Sequence, residues 1–107
     1  MKVLSTLIDP DLLDSAMVVR YEGYRALGQI AENPACRFSD SFDRFSGAET
    51  LLAMRNARPI GTIRIMRKFS DRTHETLGAF SAFAGEVVQA VSWEQSAIEF
   101  NRFAVLP

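Results

Sequence analysis

Cysteine is nearly absent: Cys36 stands alone. No internal disulfide framework is possible, and a reducing, cytoplasmic setting is expected. Neither sign of charge dominates, since the net charge is −1. The chain therefore lacks the basic stripe that nucleic acid requires, and it has no acidic tail. Long apolar runs are missing as well. Lys2 is followed only by Val3-Leu4-Ser5-Thr6-Leu7-Ile8 before Asp9-Pro10, short of the roughly 7–15 apolar residues in the core of a signal peptide. Nothing approaches the roughly 20 of a membrane span. The one histidine, His74, lies in a polar stretch with no cysteine or acid at ligand spacing, so it reads as solvated rather than as a metal ligand or base. Absent too are G-x-G-x-x-G, P-loop, H-E-x-x-H, G-x-S-x-G and C-x-x-C patterns, which removes the common dinucleotide, NTPase, zinc-protease and hydrolase readings. No internal repeat, low-complexity tract or linker interrupts the chain.

What remains is ordinary globular composition. The 107 residues are 48% apolar and 23% charged, enough for one domain over residues 1–107 with a core of its own. Lys2–Ile8 reads as a short strand. Asp9-Pro10-Asp11 opens a helix, with Asp9 as cap, Pro10 in the first turn, and Asp11 and Asp14 facing the positive helix end. Leu12, Leu13, Ala16, Met17, Arg20, Tyr21 and Tyr24 recur at helical spacing, predicting a helix from about Asp11 to Ala26. Arg20 falls on or beside its apolar stripe, either snorkelling over the core edge or serving a site. Gly28 and Asn33-Pro34 end the pattern. In the turn-like Ser39-Asp40-Ser41-Phe42-Asp43, the two acids lie on one side of a helical turn. They are either solvated caps, or close neighbours that need a cation such as Arg64 or Arg102 between them.

Glu49–Arg55 and Pro59–Arg67 read as a hairpin joined through Asn56-Ala57-Arg58. Gly61, Ile63 and Ile65 share the face expected to be core, while Thr62, Arg64 and Met66 share the other. Arg64 is then either a site residue or a solvated cation. Leu77, Phe80, Phe83, Val87 and Val91 predict a second amphipathic helix, weakened by Gly78 and Gly85, and Trp93 reads as core. The last stretch, Ala97–Val105, is strand-like but carries Glu99 and Arg102. A half-buried strand tolerates such charges only when they have partners. The whole predicts an α+β domain with a mixed, largely antiparallel sheet flanked by helices.

The ordered set Arg20…Tyr24, Asp40-Ser41-Phe42-Asp43, Gly61-Thr62-Ile63-Arg64-Ile65 and Glu99-Phe100-Asn101-Arg102-Phe103-Ala104-Val105 resembles the N-acyl amino acid synthases. It is also similar to their relatives, the acyl-homoserine-lactone (autoinducer) synthases; both belong to the GNAT acyltransferase superfamily. The resemblance runs from about Met17 to Pro107. It implies a GNAT-like fold and transfer of a fatty acyl group from an acyl-carrier-protein thioester to the amine of an amino acid. No separate cofactor is implied, because the carrier's phosphopantetheine thioester is itself a co-substrate. By the same resemblance, Asp40, Asp43, Arg64, Glu99 and Arg102 form a charged cluster beside the amine-binding cleft, with Arg20 and Tyr24 next to it. Glu99 and Arg102 would be catalytic, and Arg20, Tyr24, Asp40, Asp43 and Arg64 would bind substrate. A protonated amine cannot attack a thioester, so Glu99 would take its proton, through water. Arg64 or Arg20 would grip an acceptor carboxylate with a two-pronged fork. Backbone N–H groups beside the last strand would steady the oxyanion.

Two departures bear on the acceptor. Autoinducer synthases carry an acid two positions before the first aspartate, where this chain has Phe38, and a tryptophan after the first helix, absent between Leu27 and Arg37. Both argue against S-adenosylmethionine as acceptor and for a simple amino acid. Residues three apart on an ideal strand face opposite sides, so Glu99 and Arg102 can converge only across a β-bulge. The resemblance implies one, because GNAT folds carry a bulge in this fourth core strand, and it is expected between Phe100 and Ala104. Without it the two side chains would serve different faces. In GNAT enzymes donor-binding elements follow the strand matching Ala97–Val105, whereas this sequence stops at Pro107. The expectation is a fold truncated after its fourth core strand, with an exposed edge that a homodimer would cover. The alternative to an enzyme is a non-catalytic binding or dimerisation domain in which the charges are structural ion pairs.

Overall fold

The computed structural model describes residues 1–107. Four strands and two helices follow in order: β1 (Lys2–Ser5), α1 (Leu12–Ala26), β2 (Ala48–Arg55), β3 (Arg58–Lys68), α2 (Phe80–Ala90) and β4 (Ala97–Val105). Single 3-10 turns occur at Ser41–Arg44 and His74–Thr76. The strands lie in chain order, and each neighbouring pair is antiparallel. The class is therefore α+β, with an open antiparallel sheet that contains no parallel pair.

Local chemistry sets the element ends. β1 stops at Ser5 because the chain turns there, the Ser5 carbonyl accepting from Ile8 (3.1 Å) and Asp9 (3.0 Å). The Asp9 side chain accepts the Asp11 N–H at 3.1 Å and folds the entry to α1. Gly28, at φ +69°, ends the helix in a left-handed conformation that glycine adopts without strain. The β2–β3 turn is only Asn56-Ala57, both left-handed at φ 51° and 62°. That is the two-residue geometry matching the natural twist of a hairpin, so Arg58 already belongs to β3.

The two faces of the sheet differ from the sequence expectation. Helix α1 lies on the face that carries Thr62, Arg64 and Met66, and these side chains are buried; on the face expected to be core, Gly61 and Ile65 are buried but Ile63 is only half-buried. Ala16 and Val19 of α1 meet Leu52 and Ala104 in a small apolar centre. Gly23 permits the approach, since a Cβ there would stand 3.3 Å from that of Ala104. The isoleucine face has no helix over it. Val3, Leu51, Ile63, Phe103 and Val105 line an open apolar groove of about 340 Å³. Alternation along β3 places residues on two faces but does not say which face α1 will choose. Asp43 of the Ser41–Arg44 turn pairs with both Arg20 of α1 and Arg64 of β3, which ties the helix to the arginine-bearing face.

The C-terminal helix also departs from expectation. Residue Phe83 leaves helical geometry (φ −134°, ψ 47°), and α2 buries none of its side chains. It is held instead at its ends. His74, expected to be solvated, is buried. Its Nε2–H donates to the Val91 carbonyl at 2.6 Å, and its ring stacks on Phe80 with centroids 6.2 Å apart. Trp93, expected in the core, is half exposed and lies 5.7 Å from the ammonium of Lys68. Lys68 is itself buried and donates to the carbonyls of Trp93 (2.8 Å) and Gln95 (2.7 Å). A sheet covered on one face, with an apolar opposite face, results.

Candidate functional site: a buried guanidinium–carboxylate cluster

The turn Ser39–Asp43 resolves the choice between capping and ion pairing, because its acids do both. Asp40 precedes the 3-10 turn and accepts the Phe42 N–H at 3.0 Å, and Asp43 returns a carboxylate oxygen to the Asp40 N–H at 3.1 Å. This reciprocal capping box locks the pair into one orientation. The remaining lone pairs point under α1, where three arginines from three elements meet them. Arg20 of α1 donates from Nη1 to both oxygens of Asp43 at 2.9 Å and from Nη2 to Thr50 Oγ1 at 3.2 Å. Arg64 of β3 bridges the two acids, reaching Asp43 at 3.0 Å and bonding Asp40 through both terminal nitrogens. Arg102 of β4 reaches Asp40 from Nε and Nη2, each at 2.9 Å. The hairpin alternation that sends Arg64 inward thus places it between the acids, as the spacing of Asp40 and Asp43 requires.

Arg102 arrives by way of a bulge. Thr62 pairs with Ala104 and Arg64 with Asn101, so two β4 residues, Arg102 and Phe103, oppose Ile63 alone. The predicted bulge is present within Phe100–Ala104. Arg102 adopts φ 51°, a left-handed conformation costing a non-glycine residue about 1–3 kcal/mol. Its ion pairs and its guanidinium, 5.1 Å above the Phe38 ring, hold it there. Strain of this kind gathers at functional sites.

Glu99 joins the same network at one remove. Arg64 Nε donates to Asn101 Oδ1 at 2.7 Å, the Asn101 amide donates to Glu99, and the other Glu99 oxygen accepts the Ala79 N–H at 2.8 Å. Glu99 and Arg102 therefore share a face and a network without touching. Sequence reasoning missed Asn101. Its signal was period two: a polar residue two positions after Glu99 on an apolar strand lies on the inward face with it.

The electrostatics divide the arginines. Arg20 is 0% and Arg64 2% exposed, and the Asp43 side chain is 1% exposed. Their charges are committed to one another. The side chain of Arg102 is 39% exposed and looks into an open cleft of about 330 Å³ shared with Tyr24, Gln29, Ile30 and Phe38. Three guanidiniums contact two carboxylates directly, and the third acid of the network, Glu99, is reached only through the Asn101 amide. The solvent-facing Arg102 therefore shares Asp40 with Arg64 and has no carboxylate of its own. Burial alone would raise the Asp40 pKa, but hydrogen bonds from Arg64 and Arg102 outweigh it and hold the carboxyl below its ordinary 3.8. The Tyr24 phenol is pushed up by burial, against the opposing pull of Arg102, Arg20 and Arg64, so it remains a neutral donor. It meets Phe38 edge-on, centroids 5.1 Å apart.

A family model, described as N-acyl amino acid synthase FeeM, matches residues 15–107. The chain belongs to the FeeM family of N-acyl amino acid synthases. All five cluster residues, Glu99, Asn101 and Tyr24 lie inside the span shared with that family, which bears out the resemblance drawn from the sequence. Searches of curated proteins and of solved structures returned no match. FeeM membership places the chain among N-acyl amino acid synthases, and within the cluster Arg102 is the guanidinium that solvent reaches. No helix is long and apolar enough to cross a membrane.

Proposed function

We propose that this chain provides the acceptor side of a GNAT-type N-acyltransferase that moves a fatty acyl group from an acyl-carrier-protein thioester to the amine of an amino acid. The observation that carries the reading is the solvent-facing guanidinium of Arg102, which shares its one carboxylate with Arg64 and stands at the mouth of the Tyr24–Phe38 cleft. An amino acid carboxylate fits there as the missing anion, since a guanidinium fork binds a carboxylate with two parallel bonds. Arg20 and Arg64, enclosed and paired, act behind it by fixing Asp43 and Asp40. Sequence reasoning gave the carboxylate to one of these two; their burial favours Arg102 instead.

With the carboxylate so held, the amine projects toward Glu99, which removes its proton through water. The nitrogen attacks the thioester carbonyl carbon, and the oxyanion that forms is met by backbone N–H groups. The outer edge of β4, unpaired in the sheet, supplies such donors. Collapse breaks the C–S bond and releases the carrier thiol. Phe38 and the lack of a tryptophan after α1 count against S-adenosylmethionine as acceptor. A structural reading, with the cluster as ion pairing alone, draws on the burial of Arg20 and Arg64 but leaves the strained, solvent-facing Arg102 without a purpose. The same open β4 edge supports a homodimer, and sedimentation as a monomer at every concentration would remove that part. The lone, exposed Cys36 fits a reducing cytoplasm.

Incubation with long-chain acyl-carrier protein and a mixture of amino acids, followed by mass analysis, tests the assignment. An N-acyl amino acid is the expected product. Failure to acylate any amino acid while the carrier remains charged would contradict it.

A further inference from the structure

The Arg64 and Glu99 side chains are joined by one neutral group, and its chemistry is fixed at both ends. Arginine only donates and an ionised carboxylate only accepts. The amide of Asn101 must therefore turn its oxygen to Arg64 Nε, at 2.7 Å, and its nitrogen to Glu99. Only one of the two possible amide orientations satisfies both neighbours. Asn101 also donates to Met66 Sδ at 3.3 Å, so its side chain is held on three sides. Glu99 is held from the other direction by the Ala79 N–H at 2.8 Å, just before α2. Gly78 closes the remaining space: a Cβ there would stand 2.7 Å from Glu99 Oε2 and 3.1 Å from Asn101 Nδ2.

We infer that Asn101 is a positioning residue that couples the arginine–aspartate cluster to Glu99. It keeps the carboxylate aimed along the inward face of β4 and keeps it apart from Arg64. Direct contact would form a Glu99–Arg64 ion pair, tying up the oxygen that must accept a proton. The interposed amide passes on the polarisation of Arg64 while leaving Glu99 a free oxygen lone pair. The inference rests on the proposed role of Glu99, but its geometry can be judged without turnover.

Two nearly isosteric replacements separate the functions of the amide. Asn101→Asp keeps an acceptor for Arg64 and sets a carboxylate against Glu99, so two acids share the site. The acidic limb of the kcat/KM pH profile is expected to move up by about one pH unit or more. Asn101→Leu removes both bonds, and kcat is expected to fall about ten- to a hundredfold with little change in the KM for the amino acid. In NMR spectra of the same variants, the amide signal of Ala79 and the Nε–H signal of Arg64 should both move upon the leucine change. Unmoved signals, or a wild-type pH profile for Asn101→Asp, would overturn the inference. If Glu99→Gln turned over at the wild-type rate, the base assignment would fall by itself, while the two NMR signals would still decide whether Asn101 makes the link.

Discussion

At the residue scale, the decisive feature is that buried charges come with partners already in place. Removing one partner from such a pair leaves the other stranded in low dielectric, typically a loss of about 3–5 kcal/mol. Arg20, fully enclosed and bonded through Nη1 to both oxygens of Asp43, is the clearest ion pair, although its Nε–H has no partner. Arg20→Met is expected to lower unfolding free energy in urea by about 3 kcal/mol or more; a loss under about 1 kcal/mol would mean that the pair contributes little. Asp40 gives a pH signature. Its carboxyl is held below 3.8, so the folded state favours the ionised form. That stabilisation is complete above the ordinary value and disappears as the pH falls through the lower folded value. Melting temperatures of the wild type and Asp40→Asn should therefore differ at neutral pH and draw together as the pH falls progressively below about 4, and a gap that does not narrow with further acidification would contradict the ion-pair account. Among single residues, Arg20, Arg64 and Arg102 were legible in the sequence because charge within an apolar pattern is conspicuous, and Asp40 and Asp43 because two acids three apart in a turn share one side. Asn101 and His74 were not, since a neutral polar side chain carries no such contrast.

At the element scale, helix α2 behaves as a strap rather than a layer. It buries nothing of its own and is fixed by Ala79 on Glu99 and by His74 on Val91. Its apolar periodicity was visible in the sequence, but periodicity shows only that a helix has an apolar face, not that a surface awaits it. The bulge in β4 was expected from the family resemblance; the spacing of Glu99 and Arg102, three apart, said only that the two could serve one face in no other way. Gly78 lies where strap and strand meet. Gly78→Ala would bring a methyl within 2.7 Å of Glu99 Oε2 and force the carboxylate off the Ala79 N–H. The expected result is a loss of acylation of about tenfold or more with a smaller change in melting temperature. Full activity would show that Glu99 does not need this contact.

At the scale of the whole molecule, one sheet carries two surfaces of opposite character. Its inner face buries a polar cluster under α1, and its outer face exposes Phe100 and Phe103, each about two-thirds accessible. The α+β class, the order of elements along the chain and the β2–β3 hairpin followed from the spacing of turns and apolar runs, while the order of strands within the sheet did not. The assignment of faces did not, because the isoleucines of β3 make the outer face look like a core and the buried arginines disguise the inner one. Hydrophobic patterning identifies a buried face only where burial is apolar, and here the best-buried side chains include Arg20, Arg64 and Lys68. The small apolar centre and the ion cluster together carry α1, so the site is also part of what holds the helix to the sheet.

The central claim is that Arg102 receives the acceptor's carboxylate, and it reduces to one comparison. An amino acid and the amine made by removing its carboxyl group are offered as competing acceptors, first to the wild type and then to Arg102→Met. The expected result is that the wild type acylates the amino acid at least about a hundredfold faster, from a charge-assisted two-pronged contact of about 3 kcal/mol. In the variant that preference should collapse toward unity. Equal acylation of both acceptors by the wild type, or an undiminished preference in Arg102→Met, would contradict the account.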